Sequence, residues 1–205
     1  MALHLTFDDG PSPGSTPAVL DALAAAGATA TFFVLGPSVA RHPGIVRDAL
    51  AAGHRVELHA HRHVRHDRLT LAELRDDCTR ALDALAGAGA SPSWWRTPWG
   101  RTTEATWTVA DELGLSLVGW DADTHDWRGD PPADGLDRIA RDAPDGGIVL
   151  AHDGLGPGAT RADCAGTVAL VPLAAAWAAR RDLALTALPD PAGAHHPTAP
   201  VVAAR

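Results

Sequence analysis

With 205 residues, 46% of them apolar and 20% charged, the chain has the composition of one folded domain with a sizeable core. The net charge is -8 with the acids dispersed, and the 17 basic residues, all Arg, gather on no basic face, which argues against a nucleic-acid partner. No apolar run of about 18 residues is present to cross a membrane, and two cysteines, Cys78 and Cys164, make neither a disulfide framework nor a Cys-built metal site.

In chain order, short β-branched and apolar runs predict strands at Leu3–Phe7, Thr29–Leu35, Arg55–Leu58, Trp94–Arg96, Leu115–Trp120, Ile148–Ala151 and Asp182–Thr186. Between them, amphipathic Ala- and Leu-rich segments predict helices at Thr16–Ala26, Ser38–Ala52, Leu71–Ala86, Thr102–Leu113, Asp134–Asp142 and Ala165–Ala179. Thr70 and Glu73 have capping-box spacing, and Gly27, Gly53 and Gly114 stand where helices should stop. Both cysteines fall in helical-looking stretches and read as small buried apolar residues. Regular alternation of strand and helix implies parallel strands covered by helices. Periodicity alone leaves two architectures, a distorted (β/α) barrel and a doubly wound open sheet, and in both the function collects at the strands' carboxyl ends. The domain is expected over residues 1–187. Residues 188–205, rich in Pro and Ala, read as a loose tail. Met1 leads straight into strand-like residues, with no signal-peptide pattern. The expected compartment is thus the cytoplasm for a chain starting here, or the envelope or exterior where a leader has been removed. A monomer is expected.

The polar exceptions stand at those carboxyl ends: Asp8 and Asp9 after strand one; His59, His61 and His63 after strand three; Arg96 ending strand four. Asp123 and Asp126 follow strand five, and His152 and Asp153 follow strand six. Solvated surface charges would not choose five strand ends so consistently. Adjacent acids on an extended chain point apart, so one of Asp8 and Asp9 can hold a metal while the other moves protons; Asp-Asp-Gly-Pro is also good turn chemistry. His59 and His63 share a face in a helical turn, and all three histidines share one in an extended chain. Two His and one carboxylate make a three-ligand site that leaves a position for water. Arg96 can hold a carboxylate ionised, and the Trp residues around strands four and five are either core or platforms for a sugar face. His152 can act as a general acid or sit as a satisfied core histidine.

Five segments then resemble, in order, the motifs of the polysaccharide deacetylases, the NodB-homology domain of carbohydrate esterase family 4. They are Thr6-Phe7-Asp8-Asp9-Gly10, His59-Ala60-His61-Arg62-His63, Arg96-Thr97-Pro98-Trp99-Gly100, Asp123-Thr124-His125-Asp126-Trp127 and Leu150-Ala151-His152-Asp153. The resemblance spans residues 3 to 187 and implies an α/β fold, a distorted (β/α) barrel of about seven parallel strands. It implies one divalent metal ion, zinc with cobalt or nickel as alternatives, on Asp9, His59 and His63. It makes Asp8 the catalytic base oriented by Arg96, and His152 the acid tuned by Asp126. The Trp99 N–H would face the oxyanion, and Trp127 and Leu150 would line an acetyl pocket. His61 falls outside the ligand pattern, in a supporting or surface position. The implied activity is metal-dependent removal of N-acetyl groups from an amino-sugar oligo- or polysaccharide of chitooligosaccharide or peptidoglycan type. The alternatives are an O-acetyl esterase or hydrolase of another non-peptide amide, and a non-catalytic carbohydrate-binding module. The chain departs from the family pattern at Leu58 (commonly Asn), at Trp99 (commonly Tyr) and at Ala60, where a Ser or Thr hydroxyl commonly braces the His59–His63 loop.

Overall fold

The computed structural model describes residues 1–192. Eight strands appear: β1 (Ala2–Asp8), β2 (Thr31–Leu35), β3 (Arg55–Ala60), β4 (Trp94–Trp95), β5 (Ser116–Leu117), β6 (Ala122–Asp123), β7 (Gly147–His152) and β8 (Ala184–Leu185). The helices are α1 (Thr16–Ala25), α2 (Gly36–Arg41), α3 (Pro43–Ala51), α4 (Leu71–Gly87), α5 (Glu104–Leu113), α6 (Pro132–Asp142) and α7 (Ala165–Ala179). All strand pairs are parallel, in the order β5-β4-β3-β2-β1-β7-β6, with β8 beside the first residues of β1.

That order resolves the choice between architectures. From β1 to β5, and again from β6 to β7, every crossover steps the same way along the sheet. Right-handed crossovers that never reverse place all helices on one face, so the sheet curls into a barrel. The helix neighbours repeat the strand order: α6 on α7, α7 on α1, α1 on α3, α3 on α2, α2 on α4 and α4 on α5. The fold is a distorted (β/α) barrel. Leu3, Leu5 and Phe7 of β1 point to the helices and join their core, while Thr6 and Asp8, on the alternate face, are buried polar residues of the interior.

Three expectations about elements need correction. The single helix expected over Ser38–Ala52 is two, because Pro43 has no N–H to continue the ladder and disfavours helical geometry at His42, which sits at φ -131, ψ 51. The strand expected over Leu115–Trp120 pairs only at Ser116–Leu117. The chain then leaves β4 for β7: Val118 donates to the Trp95 carbonyl and Asp121 to that of Ile148. The barrel is thus joined between β5 and β6 by covalent chain. Cys164 immediately precedes α7, though it is buried as expected.

The Thr70–Glu73 capping box forms at the start of α4. Of the expected tail, Leu188 is buried and donates to Thr31 Oγ1, while Pro189 and Asp190 bond to Trp94 and Arg55; residues 193–205 lie outside the described residues. Among the described residues, no helix is long and apolar enough to cross a membrane.

Candidate active site

Strand register assembles the site. Asp8 is level with His152 across β1–β7, Asp123 with Leu150 across β6–β7, and Arg96 donates its N–H to Leu58 beside His59. These ends open on a cleft of about 270 Å3 lined by Asp8, Asp9, His59, His63, Trp99 and His152, with Trp120, Asp123, Trp127 and Leu150 on its walls.

Asp9 turns out of β1 in the left-handed region, φ 76, a conformation that non-glycine residues hold only when their surroundings enforce it. It brings Oδ1 to 3.5 Å from His59 Nε2 and 3.3 Å from His63 Nε2. One donor atom from each of the three lies within 4.8 Å of the others, and Asp9 Oδ1 is buried without a hydrogen bond. His59 Nδ1 lies 2.7 Å from the Arg96 carbonyl, which can only accept, so Nε2 keeps its lone pair for the cleft. Burial pushes both imidazoles down to about 3 and Asp9 up to about 6. Two neutral imidazoles and an orphaned carboxylate oxygen fit a divalent cation, which would hold Asp9 ionised. Glycine makes this packing possible: a methyl group on Gly154 would overlap the Asp9 main chain, and one on Gly156 its carboxylate.

Asp8 sits deeper. Burial pushes its carboxyl up, and the Arg96 and His152 charges oppose that. Arg96, fully buried, donates from Nη1 to Asp8 Oδ1 at 3.0 Å and to Thr6 Oγ1 at 2.6 Å, and from Nη2 to the Gly119 carbonyl at 2.8 Å. Its guanidinium lies 4.2 Å above the Phe33 ring. Opposite, Trp99 is held at φ 53 in the turn Pro98–Gly100. Its indole meets the His63 ring edge-on at 4.2 Å and remains 43% exposed.

His152 Nδ1 donates to Asp126 Oδ1 at 2.8 Å, and its backbone N–H to Oδ2 at 2.9 Å. Burial acts downward on His152, but Asp126 outweighs it and holds the imidazole up to about 9. Burial would raise Asp126; His152, Arg161 and Thr167 together hold it well below the carboxylate range. Arg161 and Thr167 were not anticipated. Arg161 Nη1 reaches Asp126 Oδ2 at 2.7 Å and Thr167 Oγ1 at 2.5 Å, while Nη2 takes the His152 carbonyl at 2.8 Å. Arg161 belongs to no periodic element, and only the fold brings it under Asp126.

Asp153 turns away from the cleft beneath Gly10, where burial pushes it up to about 7 and Thr16 Oγ1 donates to it at 2.5 Å. His61 also turns away, toward Gly36 and Ala81 rather than the cleft. His54 bonds the Ala30 N–H and His66 bonds Thr106, both in the core. Trp95 is fully buried, donating Nε1 to the His59 carbonyl, and Trp94 binds Pro189; Trp99, Trp120 and Trp127 are the ones that line the cleft.

Residues 1–118 match the family model described as Polysaccharide deacetylase. The chain is 39% identical over 166 residues to a chitooligosaccharide deacetylase of Bradyrhizobium sp. (strain ANU 289), covering 78% of this chain and 74% of that one. It is 38% identical over 152 residues to a peptidoglycan-N-acetylglucosamine deacetylase of Listeria monocytogenes, covering 74% of this chain and 32% of that longer protein. A family 4 carbohydrate esterase from Streptomyces lividans, solved in complex with acetate, superposes with a TM-score of 0.81 at 33% identity over 89% of this chain and 90% of that one. With a family match over more than half its length and a shared barrel, this chain belongs to the polysaccharide deacetylase family.

Proposed function

We propose that the protein is a metal-dependent deacetylase that removes N-acetyl groups from an amino-sugar oligo- or polysaccharide of the chitooligosaccharide or peptidoglycan type. The observation that carries this is the convergence on one cleft of three groups: the Asp9–His59–His63 set, Asp8 braced by Arg96, and His152 braced by Asp126. Asp9, His59 and His63 would hold the ion, and zinc suits this donor set. When bound, a divalent cation polarises a carbonyl oxygen and acidifies water.

The chain's own residues do the rest. Asp8, whose ionised form Arg96 and His152 favour against the upward push of burial, takes the proton of the attacking water. The Trp99 N–H, fixed by its strained turn, donates to the developing oxyanion, where one donor contributes roughly 10²- to 10³-fold. Trp127 and Leu150 enclose the acetyl methyl, and Trp99 offers an exposed face to a sugar ring. His152, protonated at neutral pH through Asp126, gives its proton to the departing amine. An unprotonated nitrogen would have to leave the tetrahedral centre as an amide anion, far less readily than an alkoxide leaves. Amide cleavage therefore depends more on a firmly protonated acid at this position than ester cleavage does.

The test is acetate release from N-acetylated chitooligosaccharides and peptidoglycan, beside O-acetylated sugars, with zinc added or removed by chelation. Release from the N-acetylated sugars should stop on chelation and return with zinc, and Asp8→Asn should abolish it with zinc binding retained. Sugar binding without turnover on any of these substrates would make the protein a non-catalytic module.

A further inference from the structure

The two histidines of the His59–His63 segment are held differently. The His59 ring is oriented by the Arg96 carbonyl. His63 Nδ1 is buried and meets no hydrogen-bonding partner from another residue, so the position of its ring depends on the path of the backbone beneath it. β3 ends at Ala60, beyond which no ladder holds the chain, and Ala60 has no hydroxyl to take up the neighbouring amides.

Those amides go to α4. Asp77 stands in the buried stripe of that helix with Leu74, Cys78, Ala81 and Leu85, where the pattern would take another apolar side chain, and is 3% exposed. Its Oδ2 accepts the His61 N–H at 2.8 Å, and its Oδ1 accepts the Arg62 N–H and Nε–H, each at 3.0 Å. A buried carboxylate is unfavourable unless strongly bonded, and bonds from N–H groups to an ionised acceptor are the stronger kind. All three donors belong to His61 and Arg62, which lie between His59 and His63, so the helix grips the segment at its middle.

We propose that Asp77 is a positioning residue for the metal cluster, its carboxylate setting the His61–Arg62 backbone so that His63 Nε2 faces Asp9 and His59. The inference rests on the metal reading of that cluster. Its test measures zinc affinity by competition with a chromophoric chelator, and melting temperature with and without zinc, for wild type, Asp77→Asn and His63→Ala. Asp77→Asn should bind zinc about 10- to 100-fold more weakly, and its gain in melting temperature on adding zinc should shrink. Equal affinity and an equal zinc-induced gain, even if both melting temperatures fall together, would reduce Asp77 to a structural role and overturn the proposal. Where Asp77→Asn does not fold, Asp77→Ser is read by the same two measurements. Wild type that binds no zinc, or His63→Ala that binds it as tightly as wild type, would overturn the metal reading and this inference with it.

Discussion

The pair His152–Asp126 shows how much one unanticipated side chain can matter. Arg161 fixes the carboxylate that fixes the acid and also holds the His152 carbonyl, so it controls the placement of the imidazole from two sides. We expect Arg161→Gln to lower kcat by up to about 10²-fold, the scale of a small misplacement at a reacting centre, with KM and zinc affinity nearly unchanged; steady-state kinetics and chelator competition check this. His152→Ala removes the acid itself and should cost about 10²- to 10⁴-fold. The same pair has a pH signature in the metal-free protein. The folded state holds His152 up to about 9 against an ordinary 6.5. A raised histidine contributes stability that is complete below the lower value and is lost as pH rises through the upper one. Thermal melts of chelated wild type and His152→Gln should therefore differ most below 6.5 and converge above about 9; a gap independent of pH would contradict the coupling.

At the scale of elements, the loop after β7 and the turn after β1 form one packed unit. Gly154 and Gly156 lie against Asp9 so closely that neither admits a Cβ without moving it. Gly156→Ala should weaken zinc binding and activity together while the barrel still melts cooperatively. Gly87, the last residue of α4, has open space around it, and Gly87→Ala should leave zinc binding unchanged and add about 0.4–1 kcal/mol of stability. Calorimetry with zinc titration distinguishes the two. Most elements were legible in the sequence because a strong period writes them: β1 alternates across its two faces, and α4 carries a four-residue apolar stripe. The break at His42–Pro43 was written there too, by the proline, but the apolar period runs across it. β5 was legible only as part of the longer run Leu115–Trp120, and β6 was not legible, since two paired residues carry no period. The break between the two strands depends on Trp95 and Ile148 accepting from either side.

For the whole molecule, the barrel divides its labour between two ends. Chemistry-bearing residues collect at the carboxyl ends, whereas Leu188–Asp190 tie down the amino ends through Thr31, Trp94 and Arg55. Ending the chain after Ala187 should lower stability by about 1.5–3 kcal/mol for Leu188 alone and leave kcat within error, as urea unfolding and kinetics would measure. The sequence by itself determined the alternation of strand and helix, the five strand ends that carry ionisable groups, and the family that those motifs resemble, because each is a local pattern. Tertiary structure decided what local pattern cannot contain. The one-way order of crossovers makes the sheet a barrel. The left-handed turn at Asp9 sends its carboxylate to two histidines some fifty residues on. Bonds made across long stretches of chain, from Arg161 to Asp126 and from Asp77 to the His61 and Arg62 amides, decide which polar side chains stand behind the cleft. Such contacts follow from where parallel strands place their ends, and periodicity records only which face a residue takes.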